Sequence, residues 1–385
     1  MLQSKSRAWV EIDLSLLAHN IEEIKKLIPL STRFMAVVKA NCYGHGDGKI
    51  ALKMEELGIN HFAVSSVDEA LNLRHAGVKG MILILGYTPP MHFHYLVEEH
   101  LVQTFLSLEY AEKCTEYGLR NQCVIEGHIK ADTGMGRLGI RCLENDYHIE
   151  EILAIYRLEH LKVSGIFSHF SVSDELEEEQ ATYTRKQIEL YNRVCSDVKK
   201  AGFTVGHTHL QNSYGILNYP ELSYDFVRPG LLPLGLTSRS DIPIKTAPQF
   251  IPILSLKANV SYVKLVQMGD SVSYGRNYIA PKLRKIATIS IGYADGLPRA
   301  MSNQGVEILV HGILCPIVGN ICMDQCMVDV SEVDDVKEGD VVTLLGAEGN
   351  QQVSIDEWSL KCNSINNELI CRISERVPRF YINEK

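Results

Sequence analysis

From residue 30 to residue 230 the chain repeats one unit: a short apolar run, a turn, and a segment long enough for a helix. The runs fall at 34–38, 61–65, 81–85, 102–106, 123–130, 163–169, 205–211 and 225–227, with helix-length segments such as 48–57, 67–75, 92–100, 109–117, 148–160 and 177–200 between them. Runs this short and this apolar suit strands covered on both faces. Strands alternating with helices predict a parallel α/β fold, and eight of them predict a (β/α)8 TIM-type barrel over residues 11–240, with an open doubly wound sheet as the alternative. The texture then changes. Residues 236–252 carry Thr237, Ser238, Arg239, Ser240, Asp241 and three prolines, a loop-like connection. β-branched runs follow at 259–266, 285–291, 305–311, 315–318, 326–330 and 340–346, separated by Gly/Asp turns. They predict a mainly antiparallel β domain or small barrel over 241–385, with residues 1–10 able to join it.

At 385 residues the chain exceeds one ordinary core. A net charge of -9 argues against a nucleic-acid partner, because no basic patch is there to displace counterions from phosphate. No apolar run reaches membrane-spanning length and residues 1–10 lack a signal-peptide core, so a soluble cytoplasmic protein is expected. Ten cysteines without a C-x-x-C pair read as reduced thiols. Cys322 and Cys326 lack a matching second pair, so no metal site is expected. The acidic run 175–179 follows Ser173 and Asp174, candidate caps, and reads as the first turn of a helix.

In a (β/α)8 barrel the reacting groups sit just after the strands. Lys39 ends the first run, at 35–38, before Ala40, Asn41, Cys42, Tyr43, Gly44, His45 and Gly46. Partial burial there would lower its pKa and make it a nucleophile, although the stretch alone also suits a lysine snorkelling to water. After the fifth run come Lys130, Asp132, Thr133, Gly134, Gly136, Arg137 and Gly139, a turn that lets backbone approach a ligand. The sixth run ends in Ser168, His169 and Phe170, where a lone histidine is more often structural than catalytic. The last two deliver Gln211, Asn212 and Ser213, then Arg228, Pro229, Gly230 and Leu231, where such barrels commonly hold a phosphate. A lysine, a phosphate cradle and an arginine on one rim suggest pyridoxal 5'-phosphate, with its aldehyde on Lys39 and its phosphate near Ser213, Gly230 and Leu231. The β domain adds Ser273-Tyr274-Gly275, Gly292-Tyr293-Ala294-Asp295-Gly296 and Cys322-Met323-Asp324-Gln325, in which each tyrosine taken singly suits strand packing.

The motifs AVVKANCYGHG, KADTGMGRLG, FSHF, QNS, VRPG, SYG, GYADG and NICMDQC occur in the order of the alanine racemase family, fold-type III pyridoxal-phosphate enzymes, and the chain closely resembles that family over essentially its whole length. The resemblance implies that Lys39 is the Schiff-base lysine and one catalytic base. It implies that Tyr274 is the other base, reaching the site from the second subunit of a head-to-tail homodimer. It places Tyr43, Ser213, Gly230 and Leu231 on the phosphate and Arg228 on the pyridine nitrogen. It has His169 brace Arg228, puts Arg137 near the phenolic oxygen and the substrate carboxylate, and places the Met323 N–H on that carboxylate. It also implies that Lys130 is carbamylated, an anion orienting Arg137. Two bases on opposite faces are what racemisation needs, and positive charge from His169 and Arg228 would favour the Tyr274 phenolate.

Two positions depart from the family. Asn367 stands where a tyrosine usually lines the substrate pocket, leaving room and an amide for a CH2OH group. The serine racemases of the VanT type, associated with vancomycin resistance, share this departure, which predicts serine as the main substrate with alanine retained. Such proteins carry an N-terminal membrane domain, so the chain reads as a cytoplasmic catalytic unit, tethered where a longer protein supplies that domain. Asn320 stands where the family often has arginine at the pocket mouth. A plain alanine racemase supplying D-alanine for peptidoglycan is the nearest rival; a pyridoxal-phosphate decarboxylase and a non-catalytic carrier of the cofactor are others.

Overall fold

In the computed structural model, which describes residues 5 and 7–384, eight parallel staves close on themselves at Met35. Arg33–Phe34 pairs with Phe226–Val227, and Ala36–Val37 pairs with His61–Val64, so one stave interrupted at Met35 meets both its neighbours. Met81–Ile84, Val102–Phe105, Ile125–Asp132, Leu161–Phe167 and His207–His209 complete the ring in chain order. All eight runs read from the sequence are staves.

The helices between them start and stop for local reasons. Ser66 and Ser107 accept the N–H groups of Glu69 and Tyr110 at the starts of Val67–Ala76 and Leu108–Asn121, and Gly77 ends the former at φ 102°. Tyr110, Ala111, Cys114 and Gly118 line one stripe of Leu108–Asn121 and turn it onto the staves. The long helix Glu178–Lys200 begins later than the acidic run suggests. Ser173 and Asp174 do not cap it; Ser173 is buried and donates to Asn212 Oδ1 at 3.0 Å. Inside the barrel, Met35, Val37, Ala63, Leu83, Val102 and Phe226 form an apolar plug. His128 and His209 meet there at 2.8 Å across the intervening sixth stave.

The second domain is also a barrel, of six antiparallel strands. Leu254–Val266, Arg284–Ile289, Cys326–Asp329, Ile313–Val318, Glu307–Val310 and Val341–Glu348 follow one another round it, and the last pairs back onto the first. Leu254–Val266 extends beyond this ring and pairs antiparallel with Ala8–Asp13, which pairs in parallel with Arg379–Ile382. Residues 8–13 therefore belong to the second sheet and run into the span expected for the first barrel. The helices Ile355–Cys362 and Asn366–Cys371 lie in a region read as β from its composition. Residues 235–253, where a linker was expected, hold no helix or strand.

One guanidinium makes several of the bonds between the two domains. Arg379 donates to Ile373 O, Ser374 O and Val377 O at 2.6 Å each, and to Gly44 O of the first barrel at 3.0 Å. Beside it the Tyr381 hydroxyl donates to His45 O at 3.0 Å. Four carbonyls on one cation are difficult to replace, so Arg379→Ala is expected to cost about 2 kcal/mol of stability. Urea unfolding of the variant beside the native protein measures it.

Candidate active site

The first stave ends at Val37, two residues before Lys39, and does not carry the lysine on its tip as the sequence suggested. Instead Lys39 opens a single left-handed turn: Ala40, Asn41, Cys42 and Tyr43 have φ of 53°, 53°, 48° and 51°, closed by Gly44 at 80°. Left-handed backbone is costly for residues with a Cβ, so neighbours must hold it. Glu69 accepts the Ala40 N–H at 2.8 Å, Asn41 accepts the Asp47 N–H at 3.0 Å, and a Cβ on Gly44 would lie 2.7 Å from Ile370 O. The turn sends the Lys39 amine and the Tyr43 phenol into the same space.

That space is a cavity of about 260 Å3 at the carboxyl ends of the staves. It gathers Lys39, Tyr43, Lys130, Arg137, His169, Asn212, Ser213, Arg228, Gly230, Leu231 and Asn367, eleven of the residues singled out in the sequence. Among the described residues, four of the lining side chains are cationic and none is a carboxylate. Such a cavity calls for an anionic ligand. Tyr43 packs over Gly230, where a Cβ would come within 2.3 Å of the phenol oxygen, and Ser213 Oγ accepts the Gly230 N–H at 3.2 Å. Asn212 accepts the Gly215 N–H at 2.8 Å and fixes the short helix Ser213–Asn218. Hydroxyls and bare backbone here form a phosphate-sized cradle, and with the Lys39 amine beside it the residues fit pyridoxal 5'-phosphate.

Burial and the nearby Arg137 lower the Lys39 pKa. Lys130 is buried with Nζ bonded only to Ala131 O at 2.8 Å, 5.6 Å from the Phe167 ring centre. Burial, reinforced by Arg228 and Arg137 against the opposing pull of Asp132, brings its pKa down to about 7. Asp132 is occupied with backbone: it accepts the N–H groups of Gly134, Met135 and Gly136 and shapes the loop that carries Arg137.

Arg228 is the hub. It donates to Ser168 O at 2.7 Å, Leu210 O at 3.0 Å, His169 Nδ1 at 3.2 Å and His209 Nδ1 at 2.9 Å. Because the guanidinium only donates, both Nδ1 atoms accept, which leaves the His209 Nε2–H to donate to His128 Nδ1. Burial pushes the His169 pKa well below its usual value, with Arg228 and Lys130 adding to it, and His128 falls to about 3. His169 is thus neutral near pH 7. It braces Arg228 as an acceptor, and the charge expected of it is absent.

Tyr274, Tyr293 and Met323 are not in this cavity. They stand on the second domain with 73%, 42% and 53% of their surfaces exposed. The loops bearing Tyr293 and Met323 are locked together: Tyr293 N–H donates to Cys322 O, Ala294 N–H to Met323 O, and buried Asp295 takes both arms of Arg7 at 2.7 Å. Both groups are therefore exposed and firmly held, outside the cavity that Lys39 lines.

Among the groups missed in the sequence, His209 and His128 mattered most. His128 stands two residues before Lys130 on one stave, so strand alternation put it on the same face. Nothing local marks Ser238, which lines the cavity from the linker, or Arg379.

The family model described as alanine racemase, N-terminal domain, matches residues 12–238, and that for the C-terminal domain matches 253–381. An amino-acid racemase of Enterococcus faecalis is 40% identical over 371 residues, covering 96% of this chain but only 51% of that protein, so the chain spans about half its length. An alanine racemase of Methanococcus maripaludis is 39% identical, covering 97% and 98%. Among solved structures, an alanine racemase of Clostridium difficile 630 superposes with a TM-score of 0.91 at 33% identity over 100% and 98% of the two chains. One from Bartonella henselae, with covalently bound pyridoxal phosphate, gives 0.84 at 27% identity over 98% and 100%.

The Lys130 environment makes a pH prediction. With a folded pKa near 7, far below that of a free lysine, the unfolded chain binds the extra proton between those values. Native stability therefore rises with pH through that window. In buffer free of carbon dioxide, the stability gained by Lys130→Met is expected to be about 2 kcal/mol larger near pH 6 than near pH 9, by urea unfolding at each pH.

Proposed function

The chain belongs to the alanine racemase family, and on that premise we propose that it interconverts the L and D forms of alanine, and of serine alongside it, using pyridoxal 5'-phosphate. The observation that carries the reading is the cavity: a lysine of lowered pKa and a Tyr43/Ser213/Gly230 cradle within a lining of four cations and no carboxylate. When bound, the cofactor supplies an electron sink that acidifies the substrate's Cα–H. The protein's share is to hold two bases on opposite sides of that carbon. Lys39 serves one face. Tyr274 of the partner subunit serves the other, a role supported by its exposure and its place outside the cavity of its own chain. Arg228, held by carbonyls and neutral imidazoles, is the group that would hold the pyridine nitrogen, and as a donor it would favour the unprotonated form. Arg137 and the N–H of Met323 of the partner subunit would take the substrate carboxylate. D-amino acids for peptidoglycan are the product use that this reading favours.

Serine is supported by one further observation. Asn367 lines the cavity, and its Oδ1 is buried without a hydrogen-bond partner. A substrate hydroxyl would satisfy it, whereas alanine leaves it orphaned. The Enterococcus faecalis relative being named for amino acids in general agrees with a wider pocket. Lys130, a buried amine with a pKa near 7 between two arginines, is proposed to add in its neutral form to carbon dioxide, its N–C bond forming as one N–H proton leaves to solvent, and the resulting carbamate anion would partner Arg137.

Incubation in deuterium oxide with either alanine enantiomer is expected to exchange the α-proton, and Lys39→Ala to stop it; bound cofactor without exchange would refute racemisation. The serine/alanine ratio of kcat/KM is expected to fall about tenfold in Asn367→Tyr. An unchanged ratio would remove serine from the proposal. Native mass spectrometry in bicarbonate is expected to show one added carbon dioxide that Lys130→Met lacks.

A further inference from the structure

Tyr274 sits on a turn whose own hydrogen bonds are long, with Arg276 N–H 3.4 Å from Ser273 O and Arg276 Nε 3.2 Å from Ser271 Oγ. Ser273, Gly275 and Arg276 have φ of 70°, 74° and 50°, three left-handed residues around one tyrosine, and the ring is too exposed for packing to fix it. What fixes the backbone is Asn320, which is 92% buried as the complement of its 8% exposure. Its Nδ2 donates to Tyr274 O at 2.7 Å. Its Oδ1 accepts from Asn277 Nδ2 at 3.3 Å and from Asn303 Nδ2 at 3.4 Å, and its own carbonyl accepts Ser273 Oγ at 2.5 Å. Gly319 before it lets the two segments touch, since a Cβ there would lie 2.7 Å from Val272 O.

We propose that Asn320 is the positioning residue for Tyr274, gripping the turn on both sides of the tyrosine and thereby setting where its phenol reaches in the neighbouring subunit's site. The proposal rests on the reading of Tyr274 as the second base. The position asks for a side chain that donates to Tyr274 O and accepts from Asn277 and Asn303 at once. An amide does both; an aspartate keeps the acceptor and loses the donor, and an arginine keeps a donor and loses the acceptor. Asn320 touches no reacting atom, so its effect is confined to the proton transfer that Tyr274 performs.

The test uses holoenzyme with α-deuterated L- and D-alanine. In Asn320→Ala, kcat/KM is expected to fall about tenfold with KM nearly unchanged, because a misplaced base slows the proton step. The deuterium isotope effect is expected to rise for the enantiomer that gives its proton to Tyr274, whose abstraction becomes rate-limiting. It should fall for the other enantiomer, whose abstraction by Lys39 then precedes the slow step. Asn320→Asp is expected to behave like Asn320→Ala. Asn277→Ala, which leaves Asn320 in place, should show a smaller change of the same signs and keeps the test open if Asn320→Ala does not fold. Hydrogen exchange at residues 273–277 should quicken in each variant without a change elsewhere. Isotope effects that stay equal to native in a folded Asn320→Ala, while Tyr274→Phe abolishes turnover, would overturn the proposal alone. A Tyr274→Phe enzyme of native activity would overturn the base assignment and the proposal with it.

Discussion

Four consecutive residues with side chains, Ala40 to Tyr43, are wound the wrong way for L-amino acids. At about 1–2 kcal/mol each, the turn costs roughly 4–8 kcal/mol, which rivals the net stability of a whole domain. It survives because neighbours over-determine it: Glu69 from the next barrel unit, the Ile370 carbonyl packed on Gly44, and Arg379 and Tyr381 gripping Gly44 and His45. Lys39 and Tyr43 point where they do because of this turn. The site is thus a property of both domains, although most of its residues come from one.

The second constraint is charge. Lys39, Lys130, Arg137 and Arg228 share one cavity with no carboxylate, a costly arrangement in a protein interior. The chain relieves part of it by lowering pKa values, keeping the histidines neutral, and spending backbone carbonyls on Arg228. The rest is left for the phosphate of the cofactor and the carboxylate of the substrate. Asp132 stands close by yet gives its oxygens to the Arg137 loop, so it organises the cations without cancelling them.

Both barrels were legible in the sequence because parallel staves buried on two faces become apolar runs, and antiparallel ones become β-branched runs between Gly/Asp turns. The rim residues were legible for the same reason, since a stave's end is where its apolar run stops. Other features have causes distant in the chain. Nothing local in Ala40, Cys42 or Tyr43 favours a left-handed turn; Glu69 stands 29 positions away, and Arg379 and Tyr381 more than three hundred. Residues 8–13 read as the start of the first barrel and pair with the second, because register with Leu254–Val266 is visible only in three dimensions. Tyr274 and Met323 stood out as motifs, but a linear pattern does not say that they stand outside the cavity Lys39 lines. His169 was expected to carry charge, and the burial that keeps it neutral belongs to the packed structure.

The grip of Arg379 on Gly44 also orders events in time. The lysine is made early and its restraint is made 340 residues later, the difference between positions 379 and 39. At about 5–20 residues per second, a ribosome leaves the first barrel for tens of seconds without the contact that holds its turn. During that interval the barrel's staves can pair, and the turn that aims Lys39 has Glu69 and the Asn41–Asp47 bond but not its clasp from the last strand.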